Sequence, residues 1–187
     1  MTGRAIVLNG PSSAGKSTLA RTLQGVLPEP FLVLGLDQFL FGEVLPRDAD
    51  GRVREWSSVR PRLVAGYFRA VGGFLDAGND LIVDLVLEDS AQRDQLERAL
   101  AGRTVLRVGV HVDLDELERR EVARGDRSIG DARRDVLVVH AFMSYDLEID
   151  GSLPSAVLTE QVARAWTRRL ASPAPPRESR GRGGRAG

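Results

Sequence analysis

An eight-residue segment, Gly10–Ser17, constrains the fold of this chain more than any other feature, because it has the pattern G-x-x-x-x-G-K-S. An apolar run, Ala5–Leu8, precedes this segment, and a run with helical character begins at Thr18. In a strand–loop–helix unit of this kind, consecutive backbone N–H groups and the helix N-terminus bind phosphate oxygens. The segment, called the phosphate loop below, therefore predicts a nucleotide site in an α/β fold.

The residue types of the phosphate loop predict individual roles. Lys16 would reach the β- and γ-phosphates of ATP, and the Ser17 hydroxyl would bind Mg²⁺. Lys16 is the only lysine in the chain, and a compact ammonium fits between phosphates where a planar guanidinium does not. We expect the nucleotide to be bound by Gly10, Pro11, Ser12, Ser13, Ala14, Gly15, Lys16, Ser17 and Thr18.

The alternation of apolar runs and helical patterns predicts a P-loop NTPase fold of the nucleoside- and shikimate-kinase type. We expect three α/β/α layers around a parallel sheet of about five strands. The predicted strands are 5–9, 31–36, 80–85, 105–112 and 147–150. The predicted helices are 16–27, 57–77, 90–101, 115–124, 131–142 and 155–170.

Length and composition predict one kinase domain over residues 1–171, followed by a disordered, Pro-, Gly- and Arg-rich tail over 172–187. Because no apolar run approaches about 20 residues and the first strand begins almost at once, we expect a cytoplasmic protein without a membrane span. The formal net charge is zero, and the folded part has no basic stripe with interleaved aromatics, so a nucleic-acid partner is disfavoured. Homo-oligomerisation stays open.

Two acidic residues are predicted near the phosphate loop. Asp37 follows the second strand and Asp84 lies near the end of the third, and the carboxyl ends of parallel strands meet at one edge of a sheet. Asp84 resembles a Walker B acid, which would act through Mg²⁺ or a bound water and border the substrate. Asp37 would accept the proton of a substrate hydroxyl as general base; the alternative is a helix cap.

The stretch between Phe39 and Trp56 is less regular, with a turn at Asp48–Gly51. Phe39, Leu40 and Trp56 would line an apolar pocket for a small hydroxylated substrate. An apolar loop packed on the core is an equal alternative.

A glycine-punctuated, arginine-rich segment follows the helix that is predicted to end at residue 124. We expect Arg124 and Arg127 to belong to a lid over the nucleotide, with Arg127 stabilising the transferring phosphoryl group. Neighbouring arginines are expected to be solvated or paired, as in Glu116–Arg120. His111 and His140 lack a metal or triad pattern and are interpreted as structural.

Several short segments occur in a characteristic order between about residue 5 and residue 165: 10–17, 27–30, Asp37, 48–51, 82–84, 123–127, 138–140 and 145–148. In these segments the sequence resembles the chloramphenicol phosphotransferase family. The resemblance implies a P-loop kinase fold close to shikimate and adenylate kinases, and ATP-dependent phosphorylation of a primary hydroxyl of the antibiotic. It also implies that Asp37 is the base and that Arg124 and Arg127 belong to the lid.

The sequence departs from the family pattern at three places. Pro11 stands where a second glycine is expected, Leu85 stands where a second aspartate is expected, and the stretch 39–59 matches poorly apart from its turn. Because substrate contacts are expected in that stretch, the acceptor stays open between chloramphenicol, another antibiotic, a nucleotide sugar and a small metabolite. A nucleotide-dependent switch that moves a partner protein is the alternative from another class, and Asp37 argues against it.

Overall fold

The computed structural model describes residues 2–42, 44–124 and 130–171. Within these ranges the strands are β1 Ala5–Asn9, β2 Phe31–Gly35, β3 Asp80–Leu85, β4 Val105–His111 and β5 Leu147–Asp150. The five strands are parallel and form one sheet in the order β2-β3-β1-β4-β5, which confirms the predicted sheet. The helices are α1 Lys16–Val26, α2 Leu36–Leu40, α3 Trp56–Asp76, α4 Ser90–Leu100, α5 Leu114–Arg124, α6 Asp131–Val136 and α7 Ser155–Ala171.

Alternating side chains of the central strand β1 supply both hydrophobic cores. Ile6 and Leu8 belong to the core under α1 and α7. Ala5 and Val7 point to the opposite face and join the core under α3 and α4. A parallel strand buried on both faces requires helices on each side, so this pattern produces the predicted three layers.

The end of β2 differs from the prediction. The strand stops at Gly35, and the chain turns into the short helix α2, in which Asp37 lies in the first turn. The Gly35 N–H donates to Oε1 of Gln38 at 3.1 Å, which begins the helix. Leu36 belongs to α2 and is buried in the core, so the apolar run of the strand continues into the helix without a break. Apolar periodicity alone therefore did not reveal where the strand ends and the helix begins.

Helix α6 is also shorter than predicted and ends at Val136 instead of residue 142. The N–H groups of Val138 and Val139 both donate to the carbonyl of Asp135, which closes the helix into a turn. The turn predicted at Asp48–Gly51 is present and is closed by a bridge between Arg47 and Val53. The predicted tail, 172–187, lies outside the described residues. Among the described helices, none is long and apolar enough to cross a bilayer.

Candidate active site

A cavity of about 1230 Å³ lies at the carboxyl ends of the strands and brings most of the predicted site residues together. It is bordered by the phosphate loop and the start of α1, by the short helix α2, by the first turns of α3 and by the end of β3. The residues of these elements that line it are 12–19, Arg21, Leu36, Asp37, Leu40, Phe41, Trp56, Arg60, 84–86 and Glu88. On the other side, residues of α5, α6 and the start of α7 complete it.

Backbone conformation shapes the phosphate loop. Gly15 has φ of 88° at the N-cap of α1, a left-handed conformation that glycine adopts without steric cost. Ser13 has φ of 64°, and a non-glycine residue in this region stores backbone strain of the kind that clusters at functional sites. At Gly10, a Cβ atom would lie 2.5 Å from the carbonyl oxygen of Val110, so only glycine permits the loop to start this close to β4.

Polar groups of the loop are arranged for an anion. Nζ of Lys16 donates to the carbonyl oxygens of Gly10 and Pro11, at 2.8 Å each, and the side chain is buried. Oγ of Ser13 is buried and has no hydrogen-bond partner among the described residues. The ammonium is therefore held inside the loop, beside N–H groups at the N-terminus of an eleven-residue helix, which is a favourable place for phosphate.

Ser17 and Asp84 form an oxygen pair at the edge of the loop. The Ser17 hydroxyl, in the first turn of α1, donates to Oδ2 of Asp84 near the end of β3 at 2.5 Å. Mg²⁺ prefers oxygen ligands, and a phosphate-loop serine with a carboxylate at a strand end is a donor set that fits this ion. The two residues predicted as metal ligands are therefore in contact.

Asp37 lines the same cavity as Lys16, Ser17 and Asp84. It is not the cap of α2, since the N-cap is Gly35. Burial, reinforced by the charges of Asp84 and Asp37, raises the pKa of Tyr67 well above its ordinary value, so both carboxylates act on the same phenol. This arrangement places the Asp37 carboxylate and the phosphate loop in one cavity.

The apolar residues between α2 and the start of α3 fit both predicted alternatives, a substrate pocket and packing on the core. Leu40, Phe41 and Trp56 line the cavity, as expected for a substrate pocket. Phe39 is not among the cavity-lining residues of the described structure, and it packs edge-to-face on Tyr67 with the ring centroids 5.8 Å apart. Its position on α2 turns Phe39 towards the second core, which fits the alternative of an apolar residue packed on the core. A contact of Phe39 with substrate stays a prediction.

One site residue was missed by the sequence analysis. Oδ2 of Asp135 on α6 accepts a hydrogen bond of 3.0 Å from the backbone N–H of Ser12, and both residues are buried. Burial raises the pKa of Asp135 in spite of this hydrogen bond and of nearby Arg134 and Lys16. A single acid inside a charged helix gives no pattern by which sequence inspection could have found it.

A second buried carboxylate fixes the start of α6. Burial disfavours the ionised form of Glu121, but backbone N–H groups of Gly130, Ala132 and Asp131 outweigh burial and lower its pKa. The distances from the Gly130 and Ala132 nitrogens are 2.8 and 3.1 Å. Glu121 of α5 thus holds α6, and α6 in turn holds the phosphate loop through Asp135.

Three described arginines that line the cavity are ion-paired: Arg60, which contacts Glu88 at 2.5 Å, Arg120 and Arg134. Arg21 instead donates to the Ser17 carbonyl at 3.1 Å. Arg120 pairs with Glu116 at 2.6 Å, as predicted, and also donates to the carbonyl of Gly151 at 3.1 Å. Arg134 lies 3.0 Å from Asp131. The lid prediction concerns Arg124 and Arg127; Arg127 and the side chain of Arg124 lie outside the described residues.

The two histidines form a structural cluster behind the phosphate loop. Their rings stack with centroids 3.9 Å apart, and Nδ1 of His140 lies 2.7 Å from the Tyr145 hydroxyl. Burial, and then repulsion by His111, lower the pKa of His140 to about 4. Among the described residues no group of three or more side chains is arranged as a metal site.

Comparison with known proteins identifies a family of similar sequences. Residues 3–168 match the family described as chloramphenicol phosphotransferase-like protein. A Mycobacterium tuberculosis protein named "Putative O-phosphotransferase" is 35% identical over 169 residues, which cover 79% of this chain and 75% of that protein. A guanylate kinase of Gluconobacter oxydans is 30% identical, with 89% of this chain and 90% of the relative covered.

Solved structures show the same fold at low sequence identity. The Mycobacterium tuberculosis APS kinase CysC, in complex with AMPPNP and APS, superimposes with a TM-score of 0.66 at 16% identity, over 89% of this chain and 98% of that one. A gluconokinase of Sinorhizobium meliloti superimposes with a TM-score of 0.59 at 17% identity, over 89% and 93% of the two chains. The fold is therefore that of the P-loop NTPases, as predicted.

Proposed function

The chain belongs to the chloramphenicol phosphotransferase-like family and is a P-loop kinase for small molecules, and from this premise we propose that it transfers the γ-phosphoryl group of ATP to a hydroxyl of chloramphenicol. One observation carries the proposal. The Asp37 carboxylate lines the same cavity as Lys16 and the Ser17–Asp84 pair. Phosphoryl transfer to an alcohol requires a nucleotide-binding site and a proton acceptor in the same cavity.

In the proposed reaction, the phosphate loop binds the triphosphate, and Lys16 stabilises charge on the β- and γ-phosphates. Ser17 and Asp84 would hold Mg²⁺, which when bound neutralises charge on the same phosphates. Asp37 accepts a hydrogen bond from the substrate hydroxyl and takes its proton as the oxygen attacks the γ-phosphorus. The bond from this phosphorus to the β–γ bridging oxygen breaks, and ADP leaves.

We propose that Arg124 and Arg127 complete the site from the lid. An arginine that stabilises the transferring group contributes roughly 10³–10⁵ in rate in related mechanisms. This part rests on the sequence and the family resemblance.

The acceptor side of the cavity supports an apolar substrate body. Leu40, Phe41 and Trp56 border it, and Trp56 is 38% exposed and Phe41 56% exposed. Large apolar side chains exposed at a cavity wall commonly mark a ligand-binding surface.

The decisive experiment is a phosphorylation screen. The protein is mixed with ATP, Mg²⁺ and single hydroxylated antibiotics, chloramphenicol among them, and mass spectrometry detects the gain of one phosphoryl group. The matched control is Lys16→Ala, for which we expect no product. Absence of product from every alcohol, while ATP still binds, would reject the proposal.

The guanylate kinase relatives favour a second candidate, in which the acceptor is a nucleotide. A nucleoside monophosphate, a nucleotide sugar and other small metabolites therefore belong in the same screen. Formation of GDP from GMP, with no phosphorylation of antibiotics, would select this candidate. ATP hydrolysis that responds to a protein partner and to no small hydroxyl compound would instead select a nucleotide-dependent switch.

A further inference from the structure

The helix that carries Asp37 is too short to fix this residue by itself. Helix α2 spans five residues, Leu36–Leu40, and its N-cap, Gly35, has no side chain to close the first turn. Helices shorter than about 12–15 residues are marginal in water, so contacts with the rest of the fold must set the position of α2. The place of the Asp37 carboxylate in the cavity therefore depends on what α2 packs against.

One side chain of α3, Tyr67, contacts the chain both before and after Asp37. Its hydroxyl donates to the carbonyl oxygen of Leu34, three residues before Asp37, at 2.9 Å. Its ring packs edge-to-face on Phe39, two residues after Asp37, with the ring centroids 5.8 Å apart. Tyr67 thus joins the end of β2 and the short helix α2 to a helix of 21 residues.

The Tyr67 hydroxyl lies in an apolar core that a phenylalanine would fill equally well. Tyr67 is 2% exposed, and the next residue, Phe68, is 3% exposed in the same core. Phe68 packs there without a polar atom, whereas a buried hydroxyl costs free energy unless it makes a hydrogen bond. Packing requires only the ring, so the hydroxyl serves the bond to Leu34.

The phenol keeps this bond at every pH at which the enzyme would work. Burial, together with the charges of Asp84 and Asp37, raises the pKa of Tyr67 well above its ordinary value. The phenol therefore stays protonated and donates to the Leu34 carbonyl while the two carboxylates are ionised.

The corner between β2 and α2 lies beside the Asp84 carboxylate. Gly35, the last residue of β2, is the partner of Asp84 in the parallel sheet, and a Cβ atom at Gly35 would lie 3.9 Å from Oδ2 of Asp84. The same Oδ2 accepts the Ser17 hydroxyl at 2.5 Å. A displacement of α2 at this corner would therefore move Asp37 relative to Ser17 and Asp84.

We propose that Tyr67 is a positioning residue for the transfer step. Through the Leu34 carbonyl and the Phe39 ring it holds α2 so that Asp37 faces the acceptor hydroxyl opposite the phosphate loop. Tyr67 acts through Asp37 and takes no proton itself. This inference rests on the proposed function, in which Asp37 is the base, and goes beyond it by assigning a role to a core residue of α3.

Amide hydrogen exchange of the full chain tests whether Tyr67 holds α2, and it needs no substrate. The Phe41 N–H donates to the Asp37 carbonyl at 2.9 Å, so its exchange rate, followed by NMR, reports whether α2 is formed. Tyr67→Phe keeps the ring and removes only the hydroxyl. We expect the Phe41 amide to exchange about 5-fold faster in this variant, the factor that corresponds to one neutral hydrogen bond, with exchange in α7 unchanged.

Steady-state kinetics test the effect on the transfer step, with ATP, Mg²⁺ and the acceptor found in the screen. A misplacement of about 1 Å at a reacting group costs up to about 10²-fold in rate. We expect Tyr67→Phe to lower kcat about 10-fold or more, with KM for the acceptor and the dissociation constant of ATP within about 2-fold of the parent. This split marks an interaction that acts in the transition state, whereas a merely structural role leaves kcat of the folded variant unchanged.

Tyr145→Phe is the matched control, because it makes the same chemical change at the other tyrosine of the chain. The Tyr145 hydroxyl accepts from Nδ2 of Asn9 on β1 and lies 2.7 Å from Nδ1 of His140, whereas α2 follows β2 at the edge of the sheet opposite β5. The Phe41 amide should exchange within about 2-fold of the parent in this variant. Urea unfolding curves establish that both variants are folded under the assay conditions.

The outcomes separate this inference from the proposed function. Unchanged exchange at Phe41 in Tyr67→Phe, equal acceleration in both variants, or a kcat within about 2-fold of the parent overturns the role of Tyr67. A loss that falls wholly on KM or on ATP binding overturns it as well. If the parent phosphorylates no alcohol while Tyr67→Phe accelerates exchange at Phe41, the proposed function is rejected, and Tyr67 is left as the residue that holds α2.

Discussion

Removal of the Asp135 carboxylate provides a quantitative test of how the phosphate loop is supported. In Asp135→Ala, the buried N–H of Ser12 loses its acceptor at 3.0 Å. A hydrogen bond to a charged group contributes about 1.5–3 kcal/mol. Because burial disfavours this carboxylate and raises its pKa, its removal also relieves about 1 kcal/mol of desolvation. We therefore expect the free energy of unfolding to decrease by about 0.5–2 kcal/mol.

The loss should appear in both unfolding and nucleotide binding. Urea unfolding measures the first, and calorimetric titration with ATP measures the second. If the whole decrease falls on the phosphate loop, the affinity for ATP falls about 2- to 30-fold. Asp135→Asn keeps an oxygen acceptor without the charge, so its loss should be about half as large.

Asp131→Ala is the matched control, since it removes a carboxylate from the same helix that pairs with Arg134 at 3.0 Å and is partly exposed. An exposed pair contributes about 0–1 kcal/mol, so ATP affinity should stay within about 3-fold of the parent. Equal effects of Asp131→Ala and Asp135→Ala on both measurements would refute the idea that Asp135 supports the loop.

Two further substitutions test local features. Gly10→Ala places a Cβ 2.5 Å from the Val110 carbonyl oxygen and should lower the free energy of unfolding in urea by about 1–3 kcal/mol. Gly25→Ala, with open space around its Cβ, should leave this free energy unchanged or raise it. An equal decrease for both variants would contradict the close approach of Gly10 to β4. The pKa of His140 is lowered from 6.5 to about 4 in the folded protein. Between these two pH values the unfolded chain binds a proton at His140 more readily than the folded protein does. The free energy of unfolding should therefore fall as the pH decreases from 6.5 to about 4. His140→Gln should flatten the dependence between these pH values, and an unchanged slope would contradict the assigned shift.

Much of the fold followed from local sequence signals. Strands with continuous apolar runs and helices bounded by glycine, proline or acidic residues were predicted to within a few residues. For example, α4 begins at Ser90 as predicted, and Asp89 caps it by accepting a hydrogen bond from the Gln92 N–H at 2.8 Å. The exceptions, α2 and the end of α6, depend on contacts that periodicity does not encode, such as the hydrogen bond from Gly35 to Gln38.

The candidate site was predictable where a residue follows a strand or belongs to a motif. The phosphate loop, Asp37 and Asp84 meet at one edge because parallel strands end there. Asp135 and the Arg60–Glu88 pair were not predictable, because each depends on two elements that are distant in sequence. The sequence left Phe39 open between a substrate contact and the core, because the short helix α2, which directs its ring to Tyr67, was not predicted.

The central claim, that Asp37 acts as a base towards an alcohol held opposite the phosphate loop, is tested most directly by Asp37→Asn. The measurement is kcat for the acceptor found in the screen, together with the dissociation constant of ATP. Loss of a positioned general base should lower kcat about 10²–10⁴-fold, with ATP binding unchanged within about 2-fold. A variant that retains kcat within a few-fold of the parent, while binding ATP normally, would contradict the account.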